Sequence, residues 1–132
     1  MGTRFMATVE APIHQNIKEI MVKSTEKDTI HIFRTLNNTA RVYKNAVSKE
    51  VVRLERRPGG AKFEELRELV RGDRGRRVYT DGDVDAGIWS AGIAVGLIHD
   101  IPTCKELLDR MVREAEEVIQ RMSNFSAARA KL

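Results

Sequence analysis

The chain has 132 residues, the size of one ordinary domain, and its 42% hydrophobic content excludes a disordered chain. Its single cysteine excludes an internal disulfide, and no apolar run reaches the roughly 20 residues of a membrane-spanning helix. The net charge is +4, and no apolar signal segment is recognisable near the N-terminus, so we expect a cytoplasmic protein with no membrane partner.

The first two predicted elements are a strand and a helix. Met1–Val9 has the composition of a short strand. Pro12 suits the first turn of a helix, because proline lacks the N–H that would be unpaired there. Apolar residues then recur at helical spacing and predict a helix from Pro12 to Ser24. They are Ile13, Ile17, Ile20 and Met21.

A hairpin is predicted next. Thr29–Arg34 has the β-branched and aromatic residues typical of a strand, and Arg41–Tyr43 is a second extended piece. Asn37 and Asn38 lie between them and are typical turn residues. The pattern therefore predicts two short strands that pair.

Two helices are predicted on either side of the break at residues 58–60, Pro-Gly-Gly. The first begins at Ser48, whose hydroxyl can cap it, and ends near Arg57. The second has apolar residues at helical spacing and ends at Gly72 as its C-terminal cap. Residues 73–79 are then expected to form a loop and a short extended piece. The apolar residues of the second helix are Phe63, Leu66, Leu69 and Val70.

The stretch Asp81–Thr103 combines the only tryptophan with three glycines inside an apolar run. Glycine inside a helix or strand costs about 1 kcal/mol relative to alanine, so Gly87, Gly92 and Gly96 need a compensating reason. We favour close approach of another backbone segment, and a wall against a flat ligand is the alternative.

The last predicted element is a helix that begins at Pro102 and Thr103. The Thr103 hydroxyl can accept from the Glu106 N–H while the Glu106 carboxylate reaches back, which makes a capping box. Apolar residues keep one face of this helix for about five turns, and we expect fraying after Asn124. They are Leu107, Leu108, Met111, Ala115, Val118, Ile119 and Met122.

Metal and nucleophile patterns are weak in this sequence. The aspartates of residues 81–85 alternate as in a calcium loop, but Ala86 and Gly92 occupy positions where that loop needs glycine and glutamate. The histidines are scattered, so we expect no metal site. Cys104 lies in the first turn of a helix without a neighbouring histidine base, and we interpret it as an incidental small residue.

Arginines concentrate between Arg53 and Arg77, where nine basic residues accompany five acidic ones. Glutamates interleave with these arginines at helical spacing, and no set of aromatic stacking residues accompanies them. We therefore favour a solvated face with internal ion pairs, and we expect no nucleic-acid partner.

Four stretches in order carry a family resemblance. They are G-T-R-F at 2–5, D-T at 28–29, A-R-V-Y-K-N at 40–45, and D-A-G-I-W-S-A-G-I-A-V-G-L-I-H-D-I-P-T-C-K-E-L-L at 85–108. Together they resemble the C-terminal part of the nitronate monooxygenases, formerly called 2-nitropropane dioxygenases. The related flavin-dependent enoyl-acyl-carrier-protein reductases share G-T-R-F, D-T and the R-x-x-K-N region, and are the close alternative.

The resemblance implies a (β/α)8 (TIM) barrel enzyme that binds FMN and converts an alkyl nitronate and dioxygen to a carbonyl compound and nitrite. This chain would be a single, mostly helical α+β fragment of that barrel, including its helical insertion. Residues 1–9 would be the last barrel strand, 10–80 the insertion of helices and hairpin, and 81–132 the glycine-rich pocket segment with the C-terminal barrel helix.

The resemblance also implies where ligands would bind. Gly2 and Thr3 would follow the last strand and hold the FMN phosphate through backbone N–H groups, as loops at that position do in such barrels. Trp89, Ser90 and Gly92 would line the substrate pocket. No residue of this chain is implied as catalytic.

The chain departs from the family pattern in three respects. The family's general base is a histidine on a middle barrel strand, and no part of the chain matches that region, so His14, His31 and His99 inherit no catalytic role. Ile93 stands where the family commonly has glutamine. Met1 falls on an internal position of the pattern, which suggests a truncated chain, a wrongly assigned start codon or a split gene.

The implied activity depends on the remainder of the barrel. We expect the chain to be inactive alone, and to self-associate or bind a complementing N-terminal half, because an unpaired strand and the inner face of the last helix would be exposed. The alternative from a different class is a free-standing helical interaction module that has lost the enzyme's chemistry.

Overall fold

The computed structural model describes residues 1–129, with side chains up to residue 123. It divides into two compact units, Met1–Ile101 and the segment that begins at Pro102. The described residues form α1 (Gly2–Met6), α2 (Gln15–Lys23), β1 (Thr29–Ile32), β2 (Ala40–Tyr43), α3 (Ala46–Glu55), α4 (Phe63–Leu66), α5 (Gly72–Asp81) and α6 (Cys104–Arg129). Short 3₁₀ helices lie at Glu26–Asp28 and Ile93–Leu97. The mostly helical α+β class is therefore confirmed.

Helix α1 replaces the strand predicted over Met1–Val9, so that prediction is wrong. Thr3 and Ala7 lie four residues apart and so share one side of the helical turn. In that conformation Thr3 contacts Gly92, while Ala7 is fully buried in the core. Strand propensity is a weak preference, and these tertiary contacts override it. The sheet in the described residues consists of two strands, neither of them at this position.

Helix α2 begins three residues later than predicted, and Pro12 lies outside it. His14 is its N-cap, because Nδ1 of the imidazole accepts from the Asn16 N–H at 3.1 Å. The predicted apolar face is confirmed, since Ile17 and Met21 are fully buried. The missed boundary reflects a capping side chain outside the usual set of serine, threonine, asparagine and aspartate.

Strands β1 and β2 form the predicted antiparallel hairpin, with Thr29 opposite Tyr43. β1 ends at Ile32, two residues earlier than predicted, because Phe33 takes a left-handed φ of 61° that leaves the strand conformation. Asn37, in the predicted turn, has a φ of 54°, which asparagine tolerates better than most residues.

Helix α3 is the predicted helix with a different cap. Asn45 caps it in place of Ser48: Oδ1 of Asn45 accepts from the Ser48 N–H at 2.8 Å, and Oγ of Ser48 accepts from the Asn45 N–H at 2.9 Å. Nδ2 of Asn45 also donates to the carbonyl oxygens of Val84 and Gly87, both at 2.7 Å. This buried asparagine therefore connects the start of α3 to the glycine-rich stretch.

The region after Leu66 differs most from the prediction. α4 ends there, and Gly72 begins α5 instead of capping a helix, so the predicted loop and extended piece at 73–79 are helical. Asp73 favours this start, because its carboxylate accepts from the Arg74 N–H at 3.0 Å in the first turn. Gly82 ends α5 with a φ of 73°, the conformation for which glycine is suited.

Two clusters of buried side chains form the core of the first unit. The first joins α2 and α5 to the glycine-rich stretch, and contains Ala7, Ile17, Met21, Val78, Ala86, Trp89, Ala91, Val95 and Ile98. The second fills the space between the hairpin, α3 and α4, and contains Ile32, Val42, Val51, Ala61 and Leu66. Trp89 is therefore a core residue of the first cluster.

Gly87 and Gly96 pack closely against other backbone segments, which confirms the favoured interpretation at these two positions, whereas Gly92 faces the Thr3 side chain. A Cβ on Gly87 would lie 2.6 Å from the carbonyl carbon of Arg74 and from the nitrogen of Gly75. A Cβ on Gly96 would lie 2.7 Å from the nitrogen of Glu26. Side chains do not approach backbone atoms so closely, so neither position admits a larger residue without a shift of the chain.

Helix α6 starts as predicted and runs further. The N–H and hydroxyl of Thr103 donate to Oε2 of Glu106 at 2.8 and 2.9 Å, and the Glu106 N–H donates to Oγ1 of Thr103 at 3.2 Å. The helix continues to Arg129, beyond the point at Asn124 where we expect fraying. Within the described part of the chain, no helix is both long and apolar enough to cross a bilayer.

Candidate functional site

Gly2 and Thr3, the residues predicted to hold a cofactor phosphate, form the first turn of α1. First-turn N–H groups have no carbonyl within their own helix to bind, and Met1 supplies no side-chain cap. A Cβ on Gly2 would meet nothing within 4 Å, so the backbone is open at this point. Unpaired N–H groups at a helix start can donate to an anion, so Gly2 and Thr3 are candidates to hold a phosphate group.

Two contacts join α1 to the glycine-rich stretch. The Gly92 N–H donates to Oγ1 of Thr3 at 2.9 Å. The guanidinium of Arg4 donates to the carboxylate and to the carbonyl oxygen of Asp100 at 2.9 and 3.1 Å. These contacts fix the first turn of α1 relative to the segment that carries Trp89. The backbone N–H of Gly92 therefore holds the Thr3 side chain in place.

Trp89 and Ser90 line one cavity of about 450 Å³, called the Trp89 cavity below. Their main chain pairs with β2, because the Tyr43 N–H donates to the Trp89 carbonyl oxygen at 3.0 Å and Val42 forms an antiparallel bridge with Ser90. Helix α5 provides a facing wall. Its lining residues are Gly72, Gly75, Arg76 and Tyr79. The structure thus brings together two of the three residues predicted for the substrate pocket, and the third, Gly92, lies beside Thr3.

Trp89 is 2% exposed, and its ring stacks on that of Tyr43 with a centroid separation of 4.4 Å and an interplanar angle of 20°. Nε1 of Trp89 is buried and has no hydrogen-bond partner among the described residues. An unsatisfied buried donor costs about 1–3 kcal/mol. A ligand acceptor atom that reached this N–H would remove that cost.

Arg76 and Tyr79 line this cavity, and the sequence interpretation missed them because it placed them outside any helix. With Gly72 and Gly75 they follow the i, i+3, i+4, i+7 spacing of one helix face, and that spacing is the signal that was available. Burial raises the pKa of Tyr79, and a hydrogen bond with the Ser90 backbone partly opposes the rise. The shift is away from neutral pH, so the Tyr79 hydroxyl stays protonated there, and Arg76 lines the same cavity.

The three histidines lie apart from the Trp89 cavity. His14 caps α2, His31 belongs to β1, and His99 is exposed after the second 3₁₀ helix. In residues with described side chains, no group of three or more His, Cys, Asp or Glu is placed to hold a metal ion. Ile93, where the family pattern has glutamine, begins the second 3₁₀ helix and is 58% exposed.

Comparison with known proteins places this geometry in a family. A family model described as nitronate monooxygenase matches residues 1–114. The chain belongs to the nitronate monooxygenase family. This is a family of flavin-dependent oxidoreductases, and the resemblance drawn from the four sequence stretches is confirmed.

Solved structures similar to this member of the nitronate monooxygenase family include FabK from Thermotoga maritima. The TM-score is 0.83 at 28% identity, over 95% of this chain and 39% of that chain. A mutant of the same FabK gives a TM-score of 0.76 at 26% identity, over 95% of this chain and 36% of that chain. The present chain thus spans well under half of those proteins.

A curated relative matches a shorter region. A (3aS,4S,5R,7aS)-5-hydroxy-7a-methyl-1-oxo-octahydro-1H-indene-4-carboxyl-CoA dehydrogenase from Rhodococcus jostii (strain RHA1) is 42% identical over 50 residues. The match covers 38% of this chain and 13% of that dehydrogenase. Similar proteins therefore include oxidoreductases with different named activities.

Proposed function

We propose that this chain is the C-terminal, FMN-binding part of an oxidoreductase that converts an alkyl nitronate and O₂ to a carbonyl compound and nitrite. The observation that carries the proposal is the family match over residues 1–114. The geometry supports it, because the hydrogen bond from Gly92 to Thr3 connects the open first turn of α1 with the segment of the Trp89 cavity.

Gly2 and Thr3 would hold the FMN phosphate. Their N–H groups lie at a helix start, where partial positive charge favours an anion, and Gly2 leaves room for close approach. The Thr3 hydroxyl accepts from Gly92 and so keeps the turn in place. FMN, when bound, supplies the redox chemistry with the nitronate and O₂. We assign no catalytic residue within this chain.

The Trp89 cavity would hold the substrate. A nitronate is an anion, and the guanidinium of Arg76 at the cavity wall would attract it. The Tyr79 hydroxyl is protonated at neutral pH and can donate a hydrogen bond to a nitronate oxygen. Trp89 and Ser90 provide the wall on the side of β2.

Turnover would require the remaining part of the barrel. The chain covers 39% of the FabK chain, and the histidine base that the resemblance implies has no counterpart here. We propose that a complementing N-terminal half or a second copy of the chain completes the site, and that the isolated chain is inactive. The cytoplasmic setting expected from the composition stays a prediction.

A flavin-dependent enoyl-acyl-carrier-protein reductase is the second candidate. The structural similarity to FabK, with a TM-score of 0.83, favours it. The two candidates share the cofactor proposal and differ in substrate. Nitronate-dependent O₂ consumption by the completed enzyme supports the first, and NADH oxidation that depends on an enoyl thioester supports the second.

The first experiment is a visible absorption spectrum of the protein after incubation with excess FMN and removal of unbound flavin. We expect a retained flavin band. Thr3→Val keeps the side-chain shape but leaves the Gly92 N–H without an acceptor, so we expect FMN to bind roughly tenfold more weakly. Thr3→Ser retains the acceptor and is the matched control.

Two results would contradict the proposed cofactor site. A wild-type protein that is colourless after removal of unbound FMN would contradict flavin binding by this chain and would favour the helical interaction module or an inactive fragment. Equal FMN affinity in Thr3→Val and Thr3→Ser would mean that the contact between α1 and Gly92 does not support the flavin.

A further inference from the structure

A second cavity, of about 340 Å³, lies between the hairpin and α3. Strand β2 contributes to both cavities: Val42 lines the Trp89 cavity and the adjacent Arg41 lines the second one. The two cavities have no described lining residue in common, so they are distinct sites. The ionisable residues that line the second cavity are His31, Arg34, Arg41, Glu55 and Arg56.

The hairpin register places two of these residues side by side. His31 on β1 lies directly opposite Arg41 on β2. Directly opposite side chains in an antiparallel pair are neighbours on one face of the sheet. Nη1 of Arg41 donates to Oγ1 of Thr29 at 2.8 Å, which holds the guanidinium along this face.

Glu55, the one carboxylate in the cavity wall, is buried and bound by neutral donors. Its Oε2 accepts from the Phe33 N–H at 3.0 Å. Its Oε1 accepts from the N–H and the hydroxyl of Thr35, both at 3.1 Å. These bonds hold the turn that carries Arg34 against the end of α3. They engage both carboxylate oxygens of Glu55 with neutral donors, and no arginine of the described residues forms an ion pair with Glu55.

The arginines of this cavity differ from several other surface arginines, which form ion pairs. Arg53 and Arg57 form ion pairs with Glu50 and Glu65. Among the described residues, neither Arg34 nor Arg56 forms an ion pair. Three guanidinium groups and one carboxylate leave the cavity wall with an excess of two positive charges, drawn from three segments of the chain.

We propose that this cavity binds the phosphate group of a small phosphorylated ligand. Arginine suits this role, because its planar guanidinium donates two parallel hydrogen bonds to phosphate oxygens and keeps its charge at any physiological pH. An anion would also relieve the repulsion among Arg34, Arg41 and Arg56. The proposed site is separate from the first turn of α1 and does not depend on flavin binding.

The test is a calorimetric titration of the full chain with sodium pyrophosphate at constant ionic strength. We expect saturable binding to the wild-type protein. Arg34→Gln and Arg56→Gln should each weaken it by roughly tenfold, the usual effect of losing a charge-assisted hydrogen bond. Both side chains are exposed, so neither change removes a core contact.

The matched control is Arg67→Gln, which removes one exposed arginine from a surface outside the cavity. It should leave pyrophosphate binding unchanged. Absence of saturable binding would overturn the proposal, as would equal weakening in Arg67→Gln and Arg34→Gln. Weakening confined to Thr3→Val would also overturn it, because the anion would then bind at α1.

Discussion

Because Gly87 has no side chain, α5, which forms one wall of the Trp89 cavity, packs directly against its backbone. The backbone of α5 passes so close that an added Cβ would lie 2.6 Å from Arg74 and Gly75 atoms. Next to this contact, Nε of Arg74 donates to the Ala86 carbonyl oxygen at 2.7 Å. Since Trp89 follows two residues later, this close approach sets the distance between α5 and the opposite wall of the cavity.

We expect Gly87→Ala to destabilise the first unit by about 2–3 kcal/mol, because the added methyl forces the α5 backbone away. Urea unfolding followed by circular dichroism measures the change. Gly72→Ala is the control: a Cβ there meets nothing within 4 Å, and alanine favours the helix, so stability should be equal or slightly higher. Equal midpoints for Gly87→Ala and wild type would show that α5 moves without cost.

At the scale of one element, the 3₁₀ helix Glu26–Asp28 leads from α2 into β1 and has a charged cap. The N–H and hydroxyl of Thr25 donate to Oδ2 of Asp28 at 2.8 and 2.9 Å. The hydrogen bond from the Thr25 N–H lowers the pKa of Asp28, and the Thr25 hydroxyl lowers it further. The same turn packs beside Gly96, so its cap also supports the glycine-rich stretch.

This cap should make stability depend on pH at acidic values. The folded state holds the Asp28 proton less tightly than the unfolded state, whose pKa is about 3.9. The ionised Asp28 carboxylate therefore adds its full contribution to the free energy of unfolding above that pH. This contribution is lost as the pH falls below it, through the lowered pKa of the folded state. Asp28→Asn should lose less stability than wild type between pH 6 and pH 3, two values bracketing the unfolded pKa.

Urea midpoints at both pH values measure this difference. Glu64→Gln, an exposed change, is the control and should keep the wild-type pH dependence. If Asp28→Asn and wild type lose the same stability on acidification, the Thr25 cap is not responsible.

Elements with local signals were predictable from the sequence. The capping box of α6 uses Thr103 and Glu106, three residues apart. α5 was missed, because Val78 is its only buried residue and leaves no apolar period to detect. α1 was missed because its contacts, to Gly92 and Asp100, lie about ninety residues away in sequence.

The residues of the candidate site also divide into those that the sequence predicted and those that it did not. The family pattern predicted Trp89 and Ser90, which line the cavity, but Arg76 and Tyr79, which also line it, required the helix that the sequence interpretation lacked. The arginine cavity was not predictable, because the hairpin register and the turn held by Glu55 bring together residues from three segments.

At the scale of the whole molecule, α6 carries a row of apolar side chains with alternating spacings of four and three. They are Leu108, Val112, Ala115, Ile119 and Met122. Among them, Val112 is 58% exposed and Ile119 64% exposed. A 4-3 apolar repeat is the pattern with which helices associate in coiled coils, and an exposed row of this length favours burial against a partner.

We therefore predict that the isolated chain self-associates through α6. Light scattering after size-exclusion chromatography should give at least twice the monomer mass of 15.0 kDa. Ile119→Glu places a charge in the centre of the row and should return the mass to that of a monomer, because a buried unpaired carboxylate is strongly unfavourable. Gln120→Glu adds the same charge one position away, off the row, and should stay associated.

A wild-type protein that is monomeric would contradict the self-association prediction. Equal measured masses for the Ile119→Glu and Gln120→Glu variants would contradict it too. The same two variants separate assembly from cofactor binding. A monomeric Ile119→Glu that retains FMN means that α1 and the glycine-rich stretch hold the flavin within one chain. Loss of FMN in Ile119→Glu but not in Gln120→Glu means that a second copy completes the flavin site, because both variants carry the same added charge.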